Sequence, residues 1–195
     1  MSSGSKSKLK PVLHTSYLIV RMASIEEAGA IADYRRRNEA HLVDHYPTWT
    51  KEALTEAYWQ HQVRVNLAEF DSDESVRLVI FEKEKEDTII GTINFTSILR
   101  RAAQYCVLGY GLDEKMQGRR YLTEALSASI DFVFKQLNLH RIMANYVPTN
   151  ERSGRVLRRL GFSVEGYARD YLYLNGAWRD HILTALINPD WQNNQ

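Results

Sequence analysis

The segment from Ala103 to Gly161 constrains the fold more than any other. In it a β-rich run, an amphipathic helical run, a second β-rich run and a capped helix follow one another with little loop between them. AQYCVLGYGL (103–112) reads as a strand from its branched and aromatic residues, and its glycines, Gly109 and Gly111, suggest a bulge or a close approach by something else. From Tyr121 the apolar Leu122, Leu126, Ile130, Val133 and Leu137 return on one helical face, and this helix is expected to end near Asn138. RIMANYV (141–147) is the next strand, stopped by Pro148. Asn150 then stands where an N-cap belongs, and Gly161 behind Arg158 and Arg159 terminates the last helix.

The flanks add antiparallel character. YLIVRM (17–22) reads as a strand, and Ser24 with Glu27 forms a capping-box opening for a helix carrying Ala28, Ile31, Ala32 and Arg35. A second helix is expected from Thr50, as its cap, to about Ala68. VRLVIFEKE (76–84) and TIIGTINFTSI (88–98) make an antiparallel pair with the charged EKEKED run at its tip, and Asn175-Gly176 joins two further β-rich runs as a hairpin. Antiparallel strands mixed with crossover helices give an α+β chain, or a mixed sheet of the α/β type.

Composition narrows the function. Hydrophobic residues at 44% and charged residues at 25% do not suggest disorder, and a net charge of +1 provides no global basic field, so nucleic-acid binding would have to come from a local patch, and none that is direct and sequence-specific is expected. The one cysteine, Cys106, has no partner for an internal disulfide, which suits a reducing compartment. The polar, basic start has no apolar core behind it and no run is long enough to span a bilayer, so a soluble, cytoplasmic protein without membrane contact is expected. Six scattered histidines, none joined to a carboxylate or to Cys106 at ligand spacing, predict no metal.

The junction LDEKMQGRRYLTEA (112–125) carries the chemistry. The first amides of a helix lack intrahelical partners, and the helix dipole adds partial positive charge, so a phosphate placed there gains on both counts. Gly118 lets a ligand approach the backbone, while Arg119 and Arg120 add guanidinium groups suited to phosphate oxygens. The reading is a pyrophosphate, hence a nucleotide-like cofactor; the alternative is a polar turn with solvated arginines.

LGYGLDEKMQGRRYLTEAL (108–126) resembles the acetyl-coenzyme A motif of the GNAT N-acetyltransferase superfamily, and HRIMANYVPTNERSGRVLRRLGFSVEG (140–166) resembles the segment that follows it. The chain from YLIVRM to WRDHILTALINPDW is similar to the ribosomal-protein-alanine N-acetyltransferases of the RimJ type. Asn150, Ser153, Leu157, Gly161-Phe162 and Glu165-Gly166 fall at family spacing, and GYARDY with NGAWRDH narrows the likeness. The resemblance implies a central mixed, mostly antiparallel sheet with a V-shaped splay, flanked by helices. It implies one acetyltransferase domain over 15–191, a flexible segment before it (1–14), a short tail (192–195), and a monomer or weak dimer.

It also implies roles. Tyr110, Gly111 and Leu112 would lend backbone to the pantetheine arm of acetyl-coenzyme A, and Gln117, Gly118, Arg119, Arg120, Tyr121, Leu122 and Thr123 would receive its pyrophosphate. Asn150 would contact the pantetheine or an ordered water. An amide on the Leu108–Gly111 strand would stabilise the oxyanion formed by direct attack in a ternary complex. An α-amine with a pKa near ~8 demands less of a base than a lysine near ~10.4.

Three family positions differ here. Arg120 and Leu122 occupy places where the family turn has small residues, and Arg120 is expected to take a helical φ with its side chain outward. Many members have a tyrosine seven residues after the asparagine as the acid for the departing thiolate; Leu157 stands there, so Ser153 takes that role, or else satisfies a helix amide. Glu165 and Asp170 are the candidate bases, each open to a surface ion-pair reading, with His181 a further candidate. Tyr110, Tyr146, Tyr167 and Tyr171 line the acceptor groove or pack as core, and His45-Tyr46-Pro47 forms an acceptor-side lip or a plain helix connection.

The expected activity is transfer of acetyl from acetyl-coenzyme A to the N-terminal alanine of a ribosomal protein, free or in a ribosomal particle. Alternatives are a small-amine acceptor (polyamine, amino acid or antibiotic) and a non-catalytic ribosome-assembly or acyl-cofactor-binding module.

Overall fold

The computed structural model describes residues 9–43 and 49–193. In chain order the elements are β1 (Val12–His14), β2 (Leu18–Arg21), α1 (Ala28–Leu42), α2 (Glu56–Asp71), β3 (Val76–Glu82), β4 (Lys85–Leu99) and β5 (Tyr105–Leu112). There follow α3 (Tyr121–Lys135), β6 (Arg141–Tyr146), α4 (Glu151–Arg159), β7 (Ser163–Leu174) and β8 (Ala177–Ile187). The strands form an eight-stranded sheet in the order β1-β2-β3-β4-β5-β6-β8-β7. Among the described residues only β5 and β6 run parallel, and every other pairing is antiparallel. This is the mixed, mostly antiparallel sheet expected from the sequence.

Alternation along the strands divides the interior. Leu78 and Ile80 of β3 pack in one cluster with Ala125, Leu126, Ile130 and Val133 of α3 and Leu157 of α4. Val79 and Phe81, on the other face, pack with Ile31 and Tyr34 of α1 and Val63 of α2. Each fully buried aliphatic side chain contributes about 1.5–3 kcal/mol, so the apolar stripe of α3 is what holds the crossover to the sheet.

The splay follows from register. β5 pairs with β6 only over Tyr105↔Arg141, Cys106↔Ile142 and Val107↔Met143. Beyond that point β5 stays with β4 as far as Gly91↔Leu112, whereas β6 stays with β8 as far as Tyr146↔Ile182. Two strands held on their outer sides and released from each other diverge, and a gap opens between them.

Several local expectations change. The cap of α2 is Thr55, whose hydroxyl accepts from the Tyr58 amide at 3.3 Å, because residues 52–54 form a separate 3₁₀ turn after Thr50. Pairing of β3 with β4 continues to Glu82↔Lys85, so Lys83-Glu84 make the tip and the rest of the charged run lies in a strand. Val12–His14 pair with β2 inside the stretch expected to be a flexible leader; three residues are too few to show alternation. No bulge occurs at Gly109 or Gly111, since register is continuous from Gly91↔Leu112 to Thr96↔Val107. His45, Tyr46 and Pro47 lie outside the described residues.

Candidate active site

The gap is lined by backbone. The Asp113 amide donates to the Ile90 carbonyl at 2.7 Å, which fixes the phase of the β4–β5 ladder. In an antiparallel pair alternate residues bond to the same neighbour, so Gly111 and Gly109 face β4, and Leu112 and Tyr110 direct their amides and carbonyls toward the splay. The Gln104 carbonyl, in the same phase, accepts from His140 and Arg141 at the foot of β6. The end of β5 is clamped to α1. Asp113 is 5% exposed and accepts from Arg37 Nε at 2.6 Å and Asn38 Nδ2 at 3.3 Å, and the Glu114 amide donates to Asn38 Oδ1 at 3.1 Å. Burial raises the Asp113 pKa, but the hydrogen bonds from Arg37, the Lys115 amide and Asn38 outweigh it and hold the carboxyl below its ordinary range.

From Asp113 the chain makes a 3₁₀ turn at Glu114–Met116 and enters α3 through two left-handed residues, Gly118 at φ 81° and Arg120 at φ 64°. The helical φ expected of Arg120 is therefore corrected. Arg120 is the N-cap, outside the helix, and the path out of a left-handed Gly118 reaches helical geometry only at Tyr121. A non-glycine residue held there costs about 1–2 kcal/mol. In return, an αL residue followed by αR residues turns consecutive amides to one side. The amides of Tyr121, Leu122 and Thr123 have no hydrogen-bond partner among the described residues, and no side chain caps this end.

α4 opens differently. Asn150 Oδ1 accepts from the Ser153 amide at 3.1 Å, the capping geometry its position predicted. The Ser153 hydroxyl is not spent on the helix; its Oγ lies 2.7 Å from Tyr110 Oη. Tyr146 leans on Gly154, where a Cβ would come 2.8 Å from the phenolic oxygen, so this glycine permits the ring to reach the helix. Leu157, at the position of the family's usual tyrosine, is 1% exposed and belongs to the core.

These two helix ends and the gap enclose one groove of about 600 Å³. The structure brings Tyr110, Gly111, Leu112, Gln117, Gly118, Arg120, Tyr121, Leu122, Thr123, Asn150 and Ser153 together in its wall. Sequence reasoning missed Arg152, Arg155 and Arg159, although their spacing along α4 puts basic groups on one side of that helix, and this was the signal to find them. It also missed His41, whose Nε2 is 2.7 Å from Gln117 Nε2. Arg152 bonds the same side chain at Oε1. No local pattern announces His41, because the contact joins residues far apart in sequence.

Other expected residues stand apart from the groove wall. Arg119 turns to Glu82, 3.7 Å away. Glu165 is paired with Arg141, whose register partner Tyr105 lies at the closed end of the splay. Asp170, at φ 46°, sits in the irregular stretch of β7 between Ala168 and Leu172, its amide donating to Asp180 Oδ1 at 2.9 Å. Tyr167 also donates to Asp180, which raises its own pKa and lowers that of the aspartate. His181 is 3% exposed with Nδ1 2.9 Å from the Arg179 carbonyl, and its ring meets Tyr171, whose hydroxyl accepts from Asn145 at 3.3 Å. Burial pushes the Cys106 thiol up to about 12, which leaves it without a nucleophilic role. Among the described residues no group of three or more His, Cys, Asp or Glu could hold a metal, and no helix is long and apolar enough to cross a membrane.

Comparison with known proteins bears on this geometry. Residues 17–163 match the model of the acetyltransferase (GNAT) domain family. The chain is 40% identical over 189 residues to the [ribosomal protein uS5]-alanine N-acetyltransferase of Escherichia coli, covering 96% of this chain and 97% of that protein. The crystal structure of the ribosomal-protein-S5-alanine acetyltransferase from Vibrio fischeri superposes with a TM-score of 0.90 at 38% identity, over 94% of this chain and all (100%) of that one. The fold is also shared by Mycobacterium smegmatis RimJ in complex with CoA-disulfide, with a TM-score of 0.84 at 24% identity, over 97% of this chain and 91% of that one.

Proposed function

Because this chain belongs to the acetyltransferase (GNAT) family, we propose that it moves an acetyl group from acetyl-coenzyme A to the N-terminal alanine amine of a ribosomal protein, by direct attack in a ternary complex. The observation that carries the reading is the pairing, in one groove, of an uncapped helix end with a hydroxyl pair at the splay. The first suits a diphosphate and the second a departing thiolate. Likeness to the S5-alanine enzymes over nearly the whole chain supports the acceptor. The cytoplasm is the compartment this acceptor implies.

Acetyl-coenzyme A supplies the activated acetyl group; the remaining chemistry belongs to side chains and backbone. The amides of Tyr121, Leu122 and Thr123 donate to the diphosphate, with Gly118 leaving the approach open, and Arg159, with Arg155 exchanging its exposed pair to Glu151, adds positive charge for the phosphates. Tyr110 and Leu112 hold the extended pantetheine as an additional strand would be held, and an amide of this strand donates to the carbonyl oxygen as negative charge develops. Ser153 gives its proton to the leaving sulfur and recovers one through Tyr110, 2.7 Å away. An α-amine with a pKa of about 8 is partly neutral already, so its proton passes to solvent without a dedicated base.

The test is thiol release from acetyl-coenzyme A with a ten-residue peptide starting in alanine, copied from a ribosomal protein, against spermidine. Acetylation of the peptide's α-amine, located by mass spectrometry, is expected. Turnover of spermidine with none on the peptide overturns the acceptor assignment.

A further inference from the structure

A second cavity, of about 280 Å³, lies under α1 and α2 against β3 and β4, on the face of the sheet opposite α3 and α4. Its floor includes Thr92 and Asn94, which stand across the β4–β5 ladder from Gly111 and Gly109. Directly opposed residues share a face, so beside the cavity β5 presents a strip without side chains on this face. A Cβ on Gly109 would meet nothing within 4 Å. The thioester arm enters from the α4 side of this strand, where Tyr110 and Ser153 meet. An amine therefore has an open approach from the glycine side.

The lining of this cavity is mixed, with cationic and polar side chains set among apolar and aromatic ones. Arg35 and Arg77 are both in it, and no carboxylate is. Arg35 is held over the rings of Trp49 and Trp59, with centroid distances of 4.4 and 5.3 Å. Arg77 donates through Nε to Glu69 at 3.2 Å, and its terminal nitrogens make no hydrogen bond among the described residues. The Asn94 amide and the Thr92 hydroxyl likewise have no hydrogen-bond partner among the described residues. The terminal nitrogens of Arg77, which its Nε pair with Glu69 leaves unbonded among the described residues, stand beside the neutral donors of Asn94 and Thr92 and match one chemistry, a carboxylate on a chain that hydrogen-bonds as it passes.

Building on the peptide-acceptor reading, we propose that this cavity is the acceptor's side-chain subsite and takes an acidic residue at position 2, 3 or 4 of the incoming N-terminus. The span fits. β4 lies one strand spacing, about 4.8 Å, from β5, and an extended peptide advances about 3.3 Å per residue, so a chain with its amine at the splay brings one of these side chains over Asn94. Arg77 is then the specificity-determining residue and Asn94 a peptide-binding one, and neither lines the cofactor groove.

The experiment uses Ala-starting decapeptides with Glu, Gln or Lys placed singly at positions 2, 3 and 4, and reads kcat/KM for each on the full chain. Glu is expected to exceed Lys by about tenfold at one of the positions, with the KM for acetyl-coenzyme A unchanged. Arg77→Gln should level that preference, and Arg77→Glu should invert it at the same position, an outcome that a merely structural role would not produce. Asn94→Ala, a milder change, should lower kcat/KM for the preferred peptide by about fivefold without changing the Glu-to-Lys ratio. Equal use of Glu and Lys at all three positions, or a preference that Arg77→Glu leaves intact, overturns the subsite. If none of the peptides is acetylated although acetyl-coenzyme A binds, the peptide-acceptor reading falls. Fluorescence anisotropy of labelled Glu and Lys peptides then decides the subsite, which stands if the Glu preference in binding inverts in Arg77→Glu and fails otherwise.

Discussion

Helices α3 and α4 both open onto the same groove, and their first turns are built in opposite ways. α4 carries a side-chain cap: Asn150 takes the Ser153 amide, and Glu151 adds an acid in the first turn. α3 has no side-chain cap, begins with a left-handed arginine, and leaves the amides of Tyr121, Leu122 and Thr123 without partners among the described residues. An end with a side-chain cap and an acid in its first turn is a poorer anion site, and what it presents to the groove is a side chain, the Ser153 hydroxyl. An uncapped end presents backbone, and an anion completes it. The contrast separates binding from chemistry, and it can be broken one residue at a time.

The largest effect is expected at Gly118. Gly118→Asp forces a Cβ onto a residue at φ 81° and sets a negative charge before the open amides. Loss of two charge-assisted hydrogen bonds at about 1.5–2 kcal/mol each predicts a rise of roughly 100- to 1000-fold in the KM for acetyl-coenzyme A. Isothermal titration with coenzyme A measures it directly; unaltered affinity would mean that the α3 mouth is not where the diphosphate sits.

At the other mouth the expected loss is in rate. Ser153→Ala should lower kcat by about 100-fold, in the range of a lost general acid, while the KM for acetyl-coenzyme A changes by less than about twofold. Tyr110→Phe should give a smaller fall, because the serine keeps its proton but loses the neighbour 2.7 Å away. A change in cofactor affinity with kcat preserved would reverse the roles given to the two helices.

The two mouths also differ in how far the sequence alone revealed them. Asn150, Gly161 and the apolar stripe of α3 act through residues three to seven apart, and that local grammar is enough to read a cap, a stop and a buried face. Arg120 was misread because nothing local says that Gly118 turns left-handed and postpones helical geometry to Tyr121. Glu165 had two readings, a base near the chemistry or a surface ion pair with an arginine, and a register set by β6 and β8 delivers it to Arg141. His41 and the Asp113 clamp to α1 depend on packing of distant segments, which no spacing encodes.

That clamp supports the strand feeding the α3 mouth, and its charge can be titrated. The carboxyl of Asp113 is held below its ordinary range, so it contributes stability above the unfolded-state pKa of about 3.9 and loses that contribution as pH falls through the folded value. Tm measured from pH 6 down to pH 3 should drop more steeply for the parent than for Asp113→Asn. At pH 7 the variant should be less stable by about 2 kcal/mol, since Arg37 loses its charged partner. Parallel curves would show that Asp113 is not the group responsible.

The smallest effect, and the sharpest for the contrast between the helices, belongs to Arg120. Its left-handed backbone is the one strained feature of the α3 mouth with no evident gain from the side chain, since the amides at stake come after it. Arg120→Gly relieves about 1 kcal/mol of conformational strain, partly offset by the entropy of a freer unfolded chain. A net rise in Tm of about 1–3 °C is expected for a chain of this size. Affinity for coenzyme A should fall by no more than about threefold, the worth of one exposed guanidinium beside a phosphate. If affinity instead collapses, the arginine side chain rather than the backbone holds the diphosphate at this position. If stability falls, the left-handed geometry is sustained by contacts of Arg120 itself, and the turn has been built around the residue rather than in spite of it.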